Sequence, residues 1–411
     1  MNLRWYIAAL LFLSSVINYI DRQTLSIAAP VLTKELHISP IEYSNILQAF
    51  LIAYTVMYLG SGFLVDRWGT RISMAAFMGW WSLANMLHAF ANSAFQLGAF
   101  RFLLGVGEPG NFMGALKVTS ERFPPKERAF VNGLVNAGAS VGAIVAAPMV
   151  VWLMVRFGWR SAFVITGALG FVWLAAWLMI FRGPEAVGEP APVSPVSPPI
   201  RKIDLLRYRQ TWGLMLPRLV SDPVWWFYLF WLPKYLVEQR HFTVVQMGML
   251  AWLPYLSSDL GAMAGGMASG YLIKRGWPIL KARSRAMLPC ALVMPLSLVI
   301  AFTPSSLVAL AVICVITFAH MAWKTNLMTV TNDIYPKSVV GSVSGIIAFG
   351  SGLGGTLFTN FTGQVVERFS YQWIFIVMGF LHPLAYVLFR WLVRDENLNF
   401  CSLHDSGDVT S

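Results

Sequence analysis

Residues 128–181 read RAFVNGLVNAGASVGAIVAAPMVVWLMVRFGWRSAFVITGALGFVWLAAWLMIF. The only charged side chains in the stretch are Arg128, Arg156 and Arg160, and it contains no acid. A helix needs about 20 apolar residues to cross the roughly 30 Å hydrocarbon layer of a bilayer. The stretch therefore holds two such helices, 128–154 and 158–181, with Arg156 and Arg160 at the turn between them.

Outward from this pair the pattern continues in both directions. Apolar runs occupy 3–23, 42–64, 71–90 and 95–118 on one side. On the other they occupy 210–237, 244–273, 284–303, 306–331, 338–365 and 371–393. The expected fold class is an all-α membrane protein with twelve transmembrane helices. Composition agrees: the 411 residues are 57% hydrophobic and 12% charged, where soluble domains carry about 25% charged residues. The N-terminal run lacks a small-residue cleavage site and reads as the first helix rather than a removed signal peptide. Cys290 and Cys314 lie in apolar runs and Cys401 near the C-terminus, which supports neither a disulfide framework nor a metal site.

The formal net charge of +11 is explained by topology rather than by nucleic acid. Cytoplasmic loops of membrane proteins are enriched in Lys and Arg. With a cytoplasmic N-terminus, only Lys34, Arg156, Arg160, Lys234, Arg240 and Arg368 fall outside. Arg22, Arg101, Lys117, Arg218 and Lys324 lie within the runs, and the rest of the 30 Lys and Arg face the cytoplasm. The reading is thus a multi-pass inner-membrane protein with both termini cytoplasmic.

The chain also repeats. At an offset of 212, Pro124 matches Pro336, Gly133 Gly345, Gly138 Gly350, Gly142 Gly354, Phe163 Phe375 and Gly167 Gly379. The expected domains are an N-terminal six-helix bundle, 1–181, and a C-terminal one, 210–393. A Pro-rich cytoplasmic linker, 182–209, joins them, and a polar tail, 394–411, follows. Parallel repeats of this kind place a binding site between the halves near the midplane.

Charges within the runs are expensive, about 2.5–3.5 kcal/mol each at a helix centre on insertion scales, and persist where they pair or face a cavity. The first run ends with Asp21-Arg22, and the fourth carries Arg101 and Glu108. Seven residues put Arg101 and Glu108 two turns apart on one face, about 10 Å along the axis. One can grip an anion while the other exchanges a proton; the competing reading is a structural charge network with Asp21. A carboxylate among apolar groups can hold a proton near neutrality, as proton coupling requires. His320 lies 212 after Glu108 and is its counterpart in the repeat. It is either a second proton-coupling group or a packed histidine. Asp66, Arg67 and Arg71 lie in Gly62-x-x-x-Asp66-Arg67-x-Gly69-x-Arg71 and read as a gating clasp. The second copy, Gly270-x-x-x-Lys274-Arg275-Gly276, has lost the acid.

Twelve helices, the repeat and the Gly62-to-Arg71 signature closely resemble the major facilitator superfamily. Residues 18–22, NYIDR, and 101–108, RFLLGVGE, resemble its anion:cation symporter branch. Residues 222–236, DPVWWFYLFWLPKYL, with His320-x-x-Trp323-x-x-Asn326-Leu327, are similar to the hexuronate transporters of that branch. The resemblance implies proton-coupled import of a sugar-acid anion. It assigns proton exchange to Asp21 and Glu108, and substrate contact to Arg22, Tyr54 and Arg101, with Arg101 near the carboxylate. Tyr228, Trp323, Asn326 and Asn360 are further substrate candidates. Trp225, Trp226 and Trp231 either stack on sugar faces or pack. Ala139 and Lys324 depart from the expected pattern; Lys324 reads as a second anion contact or a snorkelling charge.

The expectation is a symporter for a hexuronate such as glucuronate or galacturonate. Its partners are the organic anion, protons and the lipid bilayer; it has no cofactor, no metal and no nucleic acid, and it acts as a monomer. The alternatives are an aldonate, tartrate or aromatic-acid symporter and, further off, a drug/proton antiporter. A membrane enzyme would need a nucleophile–base or metal constellation that the sequence does not present. A sensor would need a folded signalling domain.

Overall fold

The structure, a computed structural model, describes residues 3–181, 204–335 and 337–393. Among them every regular element is helical. The helices are α1 (Leu3–Glu35), α2 (Pro40–Leu87), α3 (Ala94–Gly107), α4 (Pro109–Arg122), α5 (Pro125–Ile180), α6 (Arg209–Ser221) and α7 (Pro223–Glu238). They continue with α8 (Val244–Leu250), α9 (Leu253–Lys274), α10 (Ile279–Val293), α11 (Ser297–Phe302), α12 (Ser306–Ile334), α13 (Lys337–Arg368) and α14 (Tyr371–Leu392).

Two of these helices each contain two spans. In α2 the backbone breaks at Gly69, where φ is 73°, a conformation that a residue with a Cβ rarely adopts. The Ser73 hydroxyl then donates to the Leu64 carbonyl at 3.3 Å. Nine residues of straight helix would separate these groups by about 13 Å, so the chain has turned back. In α5 the break is at Gly158, with φ 82°. Trp173 Nε1 donates to Leu10 O at 2.7 Å, while Gly138 packs on Phe12. Both arms of α5 therefore lie along α1. Counted with α2 and α5 each divided at its glycine, and with α3–α4, α6–α7, α8–α9 and α10–α11 each taken as one pass, the described helices correspond to the twelve passes expected. Six spans satisfy length and apolarity criteria for crossing a membrane without division.

One boundary differs substantially. The first run, expected to end at residue 23, continues as helix to Glu35 through Pro30. Asp21 and Arg22 therefore lie in the middle of α1 rather than at its end. Leu25, Ile27, Ala28, Ala29 and Leu32 are buried beyond them. The Thr24 and Thr33 hydroxyls bond the carbonyls of Ile20 and Ala29. The expected linker lies outside the described residues up to 203 and then enters a short 3-10 turn, Asp204–Arg207. The expected tail, 394–411, lies wholly outside them.

The surface is apolar where lipid would lie: Phe63, Trp152, Val172, Met267, Leu292 and Val387 are all exposed. Asn18, Asp21, Arg22, Arg101, Glu108, Arg218 and Asp222 are buried. This arrangement, polar within and greasy without, suits a bilayer and not water.

Contacts group the chain into two compact units. Of the described residues, one unit holds 3–181, Trp226–Leu256 and Thr356–Tyr371. The other holds 204–225, Ser257–Gly355 and 372–393. In the first, the Tyr43 hydroxyl donates to Phe230 O at 2.8 Å, and Ile41 N–H at the start of α2 donates to the Glu367 carboxylate at 2.9 Å. In the second, Leu214, Met287, Trp323, Val343, Ile347 and Phe389 form the core.

The sequence repeat is also a packing repeat. Gly138 meets Phe12 and Gly142 meets Val16; Gly350 meets Met215 and Gly354 meets Leu219. A methyl added at Gly142 would stand 2.5 Å from the Val16 carbonyl oxygen. Gly142→Ala is therefore expected to destabilise the protein by about 1–3 kcal/mol, read as earlier thermal unfolding. Gly133→Ala, where a methyl meets nothing within 4 Å, is the control. Equal melting of both variants would mean that α1 and α5 part without cost.

Candidate functional site

Three helical segments bring the charges of the first unit together. α1 presents Asn18, Asp21 and Arg22; α3 presents Arg101; and Glu108 stands at the joint where Pro109 starts α4. Arg22 Nε and Nη2 both lie 2.7 Å from Glu108 Oε2, and Arg22 Nη2 also donates to Asn18 Oδ1 at 3.2 Å. Glu108 Oε1 is buried and has no hydrogen-bond partner among the described residues.

Arg101 is fully buried. Its Nη2 donates to the Arg22 carbonyl at 2.7 Å, and its Nε and Nη1 meet no acceptor among the described residues. The two arginines flank one ring: their Cζ atoms are 5.7 Å and 5.3 Å from the Phe50 centroid. Tyr54 and Tyr19 present their faces to Arg22 at 4.8 Å and 4.9 Å. Cations over aromatic faces in a desolvated setting gain up to about 2 kcal/mol each.

Arg101 and Glu108, placed on one face by their spacing, are not each other's partner; Arg22 takes the carboxylate. Asp21 stands apart from this pair. Its Oδ1 accepts from Asn85 Nδ2 at 2.7 Å, and the same amide reaches Thr166 Oγ1 at 2.8 Å.

The second unit holds a different cluster. Arg218 clamps Asp222 through Nε at 2.7 Å and Nη2 at 2.5 Å. The His320 ring lies parallel to that of Trp225, centroids 6.0 Å apart, and His320 Nδ1 is 3.1 Å from His382 Nε2. Trp323 Nε1 donates to Ser221 Oγ at 3.2 Å within the core. Asn326 Nδ2 donates to the carbonyls of Gly265 and Ala322 at 2.9 and 3.0 Å, tying α12 to α9. Asn360 accepts from Gln364 at 2.6 Å. Tyr228 is buried in the first unit. The substrate candidates thus fall into separate sets, with Arg22, Tyr54 and Arg101 forming the contiguous one.

The two halves can be laid over each other through their glycine contacts. Phe12 corresponds to Met215 and Val16 to Leu219, each 203 residues apart, while the helix facing them repeats at 212. On these offsets Arg22 corresponds to Trp225 and Glu108 to His320. An ion pair in one half is replaced by an aromatic stack in the other.

Asp66 pairs with Lys117 at 2.7 Å, within the first unit. Arg71 donates to the Leu178 carbonyl at 3.1 Å, and Arg67 lies on the surface beside Trp68. Asn85 and His382 were not among the sequence candidates. Asn85 is an amide in an otherwise apolar run, which was signal enough; His382 has no sequence spacing that ties it to His320.

A sequence profile of the Major Facilitator Superfamily matches residues 11–359. The Hexuronate transporter of Escherichia coli (strain K12) is 33% identical over 413 residues, covering 95% of this chain and 94% of that protein. The Galacturonate transporter of Dickeya chrysanthemi is 35% identical over 283 residues, covering 64% of this chain and 81% of that one. The fold matches the crystal structure of a bacterial homolog to the human lysosomal transporter Spinster in an inward-facing, unoccupied conformation. The TM-score is 0.78 at 19% identity, over 97% of this chain and 94% of that one. With its apolar spans the protein is a multi-pass inner-membrane protein, and on these matches the chain belongs to the Major Facilitator Superfamily of transporters.

Proposed function

We propose that the protein is a proton-coupled symporter that imports a sugar-acid anion, a hexuronate such as glucuronate or galacturonate, by alternating access with both termini cytoplasmic. The observation that carries this reading is the buried Arg22–Glu108 pair beside Arg101. A proton on Glu108 removes the charge that Arg22 answers. Arg22 and Arg101 then stand among aromatic rings with uncompensated positive charge, and an organic carboxylate restores the balance. Proton and substrate are bound together because each alone leaves a charge unmatched in a medium of low dielectric. Asp21, bonded to Asn85, supplies a second carboxylate for proton exchange, and Tyr54 offers a hydroxyl to the sugar. The Asp66–Lys117 pair and the Arg71 contact form the gating element of the turn at Gly69. The names of the two curated relatives point to the same substrate class.

The test is competition for labelled galacturonate uptake in proteoliposomes. Glucuronate is expected to compete better than glucose by at least about 2 kcal/mol, the scale of a charge-assisted hydrogen bond. Equal competition by glucose would refute an anion site. Stronger competition by galactonate, tartrate or benzoate would keep the anion and replace the hexuronate.

A further inference from the structure

Five Lys and Arg side chains lie within the apolar runs, and four of them meet an oxygen. Arg22 pairs with Glu108, Arg101 bonds the Arg22 carbonyl, Lys117 pairs with Asp66, and Arg218 clamps Asp222. Lys324 is the exception. Among the described residues its side chain makes no hydrogen bond and no ion pair, and its Nζ lies 5.8 Å from the centroid of the Trp225 ring. It is half-buried on α12, ten residues before Ile334. That is about 15 Å of helix, more than a lysine side chain spans, so the ammonium does not reach the interface by extending along α12.

The carboxylate nearest in the cluster, Asp222, is already held by Arg218 through two nitrogens. Arg218, Asp222 and Lys324 together therefore carry one net positive charge, and the His320 and His382 rings beside them are bonded to each other. A half-buried ammonium with no acceptor is costly to keep unless something else answers it. The repeat sharpens the point. Where the first half has the cation Arg22 the second has Trp225, and where the first has Phe112 the second has Lys324. The second half thus has a cation over an aromatic face, Lys324 over Trp225, but lacks the carboxylate that holds Arg22 in the first.

We infer that Lys324, seated over Trp225, is a further anion-binding point, in the second half, whose ammonium adds to the attraction of an organic anion. The inference rests on the proposed organic-anion transport and adds a residue, besides Arg22 and Arg101, that favours charged over neutral sugars.

Equilibrium binding to the purified full-length protein tests it, at fixed pH and salt, with galacturonate, glucuronate, galactonate and benzoate as anions and galactose as the neutral probe. Lys324→Gln is expected to weaken galacturonate binding about tenfold, and Lys324→Arg to restore most of the loss. Galactose binding is expected to be the same in all three proteins. A purely structural lysine would instead depress both sugars together, and rescue by arginine would not separate them. Galacturonate affinity unchanged in Lys324→Gln, or loss of both sugars in parallel, would overturn the inference and leave the proposed function standing. Failure of the wild type to bind any of the four anions would overturn the proposed function and this inference with it.

Discussion

Glu108→Gln is expected to stop uphill uptake of galacturonate while sparing one-for-one exchange of substrate across the membrane. One pH unit stores about 1.4 kcal/mol per proton, which supports about tenfold accumulation if one proton moves with each anion. The amide has the shape of the protonated acid and no proton to give up, so a cycle that depends on Glu108 can no longer be driven by the gradient. The structure adds a second consequence. Without the carboxylate, Arg22 keeps, among the described residues, Asn18 Oδ1 at 3.2 Å, a hydrogen bond with Tyr54 and the faces of Tyr19, Tyr54 and Phe50. Substrate affinity in the variant should therefore be retained or tightened, and should lose most of its dependence on pH. Counterflow and gradient-driven uptake in the same proteoliposomes measure both. Continued accumulation under a pH gradient alone would remove Glu108 as the coupling group.

Arg101→Ala is expected to abolish measurable binding of the anion, a loss of at least about 3 kcal/mol, or more than a hundredfold. Two of its guanidinium nitrogens are buried without an acceptor among the described residues, and the third holds the Arg22 carbonyl. The substitution thus removes a cation from the site and releases the backbone that positions Arg22. Arg101→Lys should recover little, because an ammonium cannot bond the Arg22 carbonyl while presenting two parallel donors to a carboxylate. Retained thermal stability in Arg101→Lys would show that the defect is in the site rather than in the fold. Near-native affinity in both variants would mean that the anion is held elsewhere.

The spans were legible because lipid leaves one solution for an apolar run, a helix that satisfies its own backbone. The repeat was legible because glycines recur where helices touch, as Gly142 on Val16 and Gly354 on Leu219 demonstrate. The length of α1 was not, since Pro30 reads as a terminator in water and is tolerated here. In the site, the rarity of buried charge singled out Arg22, Arg101 and Glu108. Their pairing was hidden because it depends on how α1 crosses the joint at Pro109, which no spacing along one helix encodes. Asn326 could be read from its type but not its use: its amide is spent on the carbonyls of α9 and α12.

The single-residue breaks at Gly69 and Gly158 bear on how the chain is made. With one non-helical residue between the arms, the turns at Gly69 and Gly158 keep the two arms of each helix close in sequence and in space. The turn offers no slack to bridge the headgroups, and each stranded arm would expose a largely apolar flank. The two arms of each helix are therefore expected to enter the bilayer together as a hairpin. Four of the first six spans would then enter as two pairs, and α1, packed along both arms of α5, is the surface on which the second pair would dock.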